Sequence, residues 1–147
     1  MIRVVPPVWF LLHAAAMVGA HFVLPGPTLV AAPWRYAGVA LILAGVAVTA
    51  VAASGFFRHG TTVRPFEEST VLVTDGLHRF SRNPMYAGMA VALAGVAVVL
   101  GTSTPWFFVP VFVVLLTRLV VEPEEAVLER RFGDAYADYK RRVRRWI

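Results

Sequence analysis

Charged residues divide this chain into long apolar stretches. After Arg3 no Asp, Glu, Lys or Arg occurs until Arg35, a gap of 31 residues. A second gap covers 36–57 and a third covers 83–117. A membrane-crossing helix needs about 20 predominantly apolar residues, so each gap reads as membrane-spanning. The first span is expected over 8–24, entered through Pro6-Pro7 and ended by Pro25-Gly26-Pro27. The second is expected over 36–57, with Gly38, Gly45 and Gly55 interspersed, small residues that let membrane helices approach closely. The third gap is too long for one crossing, since its 35 residues as one helix would reach about 52 Å against a core of about 30 Å. Gly101-Thr102-Ser103-Thr104-Pro105 breaks it into a helical hairpin, 85–100 and 106–121. The expectation is an all-α integral membrane protein: four spans in one domain over 1–147, with cytoplasmic loop elements (60–88) and amphipathic C-terminal helices (118–147).

Composition agrees. Of the 147 residues, 58% are hydrophobic and 16% charged, against about 45–50% and 25% in soluble domains. A disordered chain and an ordinary soluble enzyme are both excluded. The absence of cysteine excludes disulfides, thiolate metal sites and a cysteine nucleophile. Basic residues set the orientation. Arg58, Arg64, Arg79 and Arg82 lie in 58–82, and seven Lys and Arg follow Glu122, whereas 25–33 and 101–105 carry none. The positive-inside rule then puts both termini and the basic segments in the cytoplasm, with Arg35 alone on the far side, snorkelling at a helix end. A cleaved signal peptide over 1–24 is the competing reading, but Pro25-Gly26-Pro27 is a poor cleavage context. The net charge of +5 needs no nucleic acid; a basic face toward anionic lipid headgroups accounts for it.

Two cytoplasmic segments hold the candidate chemistry. In the first, the strand-like Leu72-Val73-Thr74 runs into an Asp75-Gly76 turn, then into a helix start at Asn83-Pro84. Asn83 suits the N-cap and Pro84 the first turn. Such a start beside Arg79 and Arg82 can hold a carboxylate or phosphate, or it is simply a capped helix with basic neighbours. The second segment places Glu122, Glu124 and Glu125 around Pro123. These acids complement a helix dipole, and Arg118 with Glu122 is an i,i+4 pair; equally, they can bind hydroxyls, an amino group or a cation at a dry boundary. Gly133 reads as a helix stop, with Asp134 capping a new helix. Tyr136, Tyr139 and Val143 form a stripe that packs on the membrane or on the cytoplasmic loop. His13 and His21 are expected to be neutral and hydrogen-bonded inside the bundle. His59 and His78 make no metal-ligand spacing, and no metal site is expected.

The segment from Leu72-Val73-Thr74-Asp75-Gly76 through Arg82-Asn83-Pro84-Met85-Tyr86-Ala87-Gly88 resembles the pattern Leu-Val-Thr-x-Gly-Pro-Tyr-Arg followed by Arg-His/Asn-Pro-x-Tyr-x-Gly. That pattern marks the isoprenylcysteine carboxyl methyltransferase and phospholipid N-methyltransferase group of small membrane enzymes. Glu124-Glu125-x-x-Leu128, Phe132-Gly133-x-x-Tyr136-x-x-Tyr139 and Val143-x-Arg145-Trp146 are similar to the group's C-terminal signature. The resemblance covers about 60–147. It implies S-adenosyl-L-methionine as cofactor, held by Val71, Leu72, Val73, His78, Asn83, Pro84, Met85, Tyr86, Glu124 and Glu125. It further implies a lipophilic or amphiphilic methyl acceptor arriving from the bilayer. Glu124 and Arg118 are the candidate catalytic residues, Arg118 to orient an anionic acceptor group or else to pair with Glu122. Two positions depart from the pattern: Asn83 replaces a common His, and Leu77-His78 replaces Pro-Tyr. The alternatives are an NADPH-dependent reductase of the sterol-reductase type, which shares a similar C-terminal pattern, and a non-enzymatic small membrane protein.

Overall fold

A computed structural model describes residues 5–58, 60 and 71–147. His59 and the Thr61–Pro65 stretch of the first cytoplasmic motif, Arg64 included, lie outside them. Among the described residues six α-helices follow one another: α1 Pro6–Val23, α2 Ala37–Arg58, α3 Pro84–Leu100, α4 Thr104–Leu116, α5 Glu122–Phe132 and α6 Asp134–Arg142. No strand occurs among the described residues, and Leu72-Val73-Thr74 is irregular. A short apolar run needs a partner strand to pair with, and an all-helical bundle offers none.

The first three helices begin and end within two residues of the expected spans, and proline or glycine marks several of those ends. Pro6 and Pro84 occupy first helical positions, where their missing N–H costs nothing. Gly101 ends α3 with φ 76°, in the left-handed region. α3 has 17 residues, about 26 Å of helix, slightly under a full hydrocarbon crossing.

The fourth span differs from expectation at its C-terminal end. The helical rod does not stop at 121 but continues from Thr104 to Phe132 through a π-helical segment, Thr117–Val121. The Glu122 N–H reaches back five residues to the Thr117 carbonyl. Pro123 supplies the physical reason, since a proline in α-geometry would remove a hydrogen bond and press on the carbonyl four residues before it. The apolar part ends at Val121, and the polar α5 follows it without a break.

α2 and α3 run antiparallel and touch backbone to backbone. A Cβ on Gly45 would stand 2.5 Å from Gly88 O, and one on Gly38 would stand 2.5 Å from Gly95 O. The two helices thus carry matching glycines one heptad apart. Gly55 has nothing within 4 Å of such a Cβ. Thr49 Oγ1 extends the contact, 2.9 Å from Gly45 O and 3.2 Å from Met85 O, its one proton shared. α1 packs on α3 and α4, and Met17, Tyr86, Leu93, Phe112, Leu116, Val120 and Val121 fill the core.

The two loops free of basic residues interlock at one end of the bundle. Leu29 and Val30 N–H groups donate to Gly101 O, and the Ser103 N–H donates to Pro27 O. Arg35 does not simply snorkel: its Nε donates to Val30 O at 3.0 Å, pinning this loop pair. His21 Nδ1 meets Thr102 Oγ1 at 2.8 Å and His13 Nδ1 meets Trp9 O at 2.8 Å, so both intramembrane histidines are hydrogen-bonded within the bundle.

Candidate functional site

At the opposite end, the loop before α3, the first turn of α5, α6 and the chain's last residues converge. Tyr86 sits in the first turn of α3 and is buried. Its hydroxyl donates to Glu124, 3.0 Å from Oε1 and 3.3 Å from Oε2. Glu124 lies in the first turn of α5. Burial pushes its carboxyl up to about 7, and the Tyr86 bond opposes only part of that rise. Among the described residues no cation lies within ion-pair distance of Glu124.

Its neighbour Glu125 is the opposite case. Arg82 Nη1 stands 2.8 Å from Glu125 Oε1, and Arg145 donates from Nη2 at 2.7 Å and Nε at 3.2 Å. Both carboxylate oxygens are therefore engaged, in the fork geometry that arginine makes with carboxylates. Arg82 Nη1 also reaches Tyr136 Oη at 3.5 Å. Two adjacent carboxylates thus have different partners among the described residues: one is neutralised by arginines, the other hydrogen-bonded by a phenol.

The tail explains the arginine clamp. After α6 the chain turns extended at Val143 and crosses the start of α3. The Arg82 N–H donates to Arg144 O at 2.9 Å, and Asn83 Nδ2 donates to Arg145 O at 3.0 Å. Trp146 packs on the core. Asn83 occupies the N-cap position as expected, but its side chain makes no capping bond; it is spent on the tail, and Ser81 Oγ accepts the Asn83 N–H instead. Asp134 likewise does not cap α6. Gly133, at φ 48°, is the N-cap and Asp134 the first helical residue. Tyr136 and Tyr139 are buried, and the stripe packs on the loop before α3, Tyr139 Oη donating to His78 O at 2.7 Å.

The other expected site residues are spread around this centre. Val73, His78 and Pro84 are buried, Leu72 and Met85 half-buried, and Val71 largely exposed. His78 stands edge-on to Phe56 of α2, ring centroids 5.2 Å apart. Arg118 points outward, 71% exposed, and pairs with Glu122 at 3.1 Å. Arg82, Arg145, Tyr136 and Tyr139 were not among the expected site residues. The first two are found only through the buried Glu125, whose carboxylate they neutralise. No group of three His, Asp or Glu suited to a metal occurs among the described residues.

A family model described as phospholipid methyltransferase matches residues 34–135. The chain belongs to the phospholipid methyltransferase family. That membership makes it a membrane methyltransferase. The matched stretch runs from the turn before α2 through the first residues of α6, so it includes Arg82, Tyr86, Glu124 and Glu125 but neither α1 nor Arg145. The methyltransferase is also similar to an uncharacterized protein of Haemophilus influenzae, 36% identical over 63 residues, which is 43% of this chain and 100% of that protein.

Proposed function

We propose that this protein transfers a methyl group from S-adenosylmethionine to a lipophilic or amphiphilic acceptor at the cytoplasmic face of the membrane. The observation that carries the reading is Glu124, a buried carboxylate with a phenol partner and, among the described residues, no cation. A buried carboxylate without a counter-charge is costly, and S-adenosylmethionine carries a sulfonium and an ammonium. The donor set fits: Glu124 faces the cationic part, Tyr86 fixes the carboxylate rotamer, and the first turn of α3 and Leu72-Val73 line the rest. His78, Asn83, Met85 and Glu125 brace those elements, and Val71 stands at the rim.

When bound, the cofactor supplies an electrophilic methyl on sulfur. The chain's own contribution is alignment, which alone is worth about 7–11 kcal/mol for a well-oriented displacement. Glu124 holds the positive charge, and the Arg82–Glu125–Arg145 clamp holds the first turn of α5 against α3. Arg118, at the bilayer boundary, orients an anionic acceptor group when released from Glu122. The acceptor class is an isoprenylcysteine-like carboxylate or a phospholipid-like amine. The basic segments 58–82 and 122–147 favour a cytoplasmic site. Family membership favours methyl transfer over the reductase and non-enzymatic readings.

Calorimetric titration of the detergent-purified protein with S-adenosylmethionine tests this. Binding by the wild type and at least tenfold weaker binding by Glu124→Gln are expected. A folded wild type that ignores S-adenosylmethionine and takes up NADPH overturns the reading. Methyl transfer from labelled cofactor into a whole-lipid extract then identifies the acceptor.

A further inference from the structure

The end of the bundle that carries Tyr86 and Glu124 also holds cations that the site leaves unused. Lys140 and Arg141 are paired with Glu129 and Asp138, and Arg82 and Arg145 with Glu125. Arg58, Arg79, Arg142 and Arg144 are exposed, and among the described residues no carboxylate lies within ion-pair distance of any of them. Local contacts bring these four to one rim. Phe56 and His78 stand edge-on with centroids 5.2 Å apart, which sets the last turn of α2, Phe57-Arg58, beside Arg79-Phe80. The Arg82 N–H donates to Arg144 O at 2.9 Å, which lays the segment after α6 against the same loop. Arg142 Nε donates to a main-chain oxygen, that of Asp138, at 3.3 Å. The rim is not purely polar: Phe57 is 72% exposed and Phe80 76%. Two of the four arginines are therefore next in sequence to an outward phenyl ring.

We infer that this rim docks on the anionic phospholipid headgroups of the leaflet at this end of the bundle. Depth argues for it. α2 has 22 residues, about 33 Å of helix, so Phe57 and Arg58 at its end stand at the edge of a hydrocarbon core of about 30 Å. α3 has 17 residues, about 26 Å, so the loop before it and the segment crossing its start are drawn to the same depth. There a phenyl ring enters the acyl boundary while a guanidinium stays among the phosphates. Chemistry argues for it as well. A guanidinium without a carboxylate partner is free to make paired hydrogen bonds to phosphate oxygens. Cations alone would equally suit an acidic protein or a nucleic acid; the exposed rings beside them favour a lipid surface. Arg144 and Arg145 are then neighbours with different partners: one side chain faces the headgroups and the other clamps Glu125. This docking stands apart from the methyl-transfer reading, and neither depends on the other.

Photolabelling of the full chain in phosphatidylcholine nanodiscs tests this. Two probes are compared at equal mole fraction, phosphatidylglycerol and phosphatidylcholine, each with the same diazirine near the head of one acyl chain. An arginine at an anionic surface contributes about a fivefold preference, so the phosphatidylglycerol probe is expected to label 56–58, 79–82 and 142–147 at least about fivefold more. The loops 25–33 and 101–105, at the other end and without a basic residue, are expected to show no preference. About 0.5 M NaCl, which shortens the screening length to about 4 Å, should abolish the preference. Arg142→Gln/Arg144→Gln, checked for a wild-type circular dichroism spectrum, should lose it at 142–147 and keep its labelling by phosphatidylcholine. Equal labelling by both probes on the wild-type protein overturns the proposal without reference to any variant. So does an equal preference at the two ends of the bundle, or one that the folded double variant retains at 142–147.

Discussion

Tyr86 on α3 and Glu124 on α5 are 38 positions apart in sequence and joined by a 3.0 Å hydrogen bond at the end of the bundle where α3 begins. Among the described residues the phenol is the carboxylate's one hydrogen-bond partner. Tyr86→Phe keeps the ring and removes the donor. The buried carboxyl then loses its partner, a penalty of about 1–3 kcal/mol. Thermal unfolding in detergent is expected to show a lower melting temperature for Tyr86→Phe. Restored stability in Tyr86→Phe/Glu124→Leu, which removes both polar groups, tests that the penalty belongs to the pair.

The Arg82–Glu125–Arg145 cluster predicts unequal consequences for neighbouring glutamates. Glu125→Ala leaves two guanidinium groups facing each other, Arg82 being only 11% exposed. Removing one partner of a buried ion pair costs about 3–5 kcal/mol. Glu122→Ala breaks an exposed pair with Arg118, worth about 0–1 kcal/mol. Melting temperatures should therefore drop sharply for Glu125→Ala and little for Glu122→Ala. Equal effects would place the clamp's contribution elsewhere.

Much of this layout is legible in the sequence. The four apolar segments follow from charge-free gaps and from prolines at Pro6, Pro84 and Pro105, which act locally. The resemblance of 72–88 and 124–146 to a methyltransferase pattern brought Tyr86 and Glu124 onto one short list, but not their contact. What was hidden depends on distant partners. Asn83 has the right residue type and position to cap α3, yet the tail carbonyl of Arg145 competes for its amide and wins. The π segment at 117–121 is hinted at only by Pro123, because the same proline also suits an ordinary helix start. Gly38 and Gly45 were visible as small residues on α2, but their register against Gly95 and Gly88 needs both helices in place.

That register carries its own prediction. Gly45→Leu drives a side chain into the backbone of α3, where Gly88 O and Ala92 N stand 2.5 Å from the new Cβ. Overpacking typically costs about 1–3 kcal/mol when side chains can yield, and here the obstacle is main chain. Gly45→Leu should fail to yield folded protein or melt far lower, as should Gly95→Leu. Gly19→Leu, with nothing within 4 Å of its Cβ, should melt near the wild type. A folded, wild-type-like Gly45→Leu is incompatible with the helix contact described.

Acidity links the Tyr86–Glu124 pair to both stability and ligand binding. The Glu124 carboxyl is raised from its ordinary 4.5 to about 7 by burial. Between those values the folded protein holds a proton that the unfolded chain releases. The stabilisation is fully present below pH 4.5 and is lost as the pH rises through about 7. A shift of this size corresponds to about 3 kcal/mol. The melting temperature is therefore expected to fall between pH 5 and pH 8, and Glu124→Gln, which carries no titrating proton, should flatten that slope. Binding runs the other way. A cation is held by the ionised carboxylate, so affinity for S-adenosylmethionine should rise with pH and level off above about 7, with proton release on binding at pH 6. Calorimetry in two buffers of different ionisation enthalpy measures that proton directly. If Glu124→Gln keeps the wild-type pH profile for both stability and binding, Glu124 is not the group that titrates, and its proposed role against the cationic cofactor falls with it.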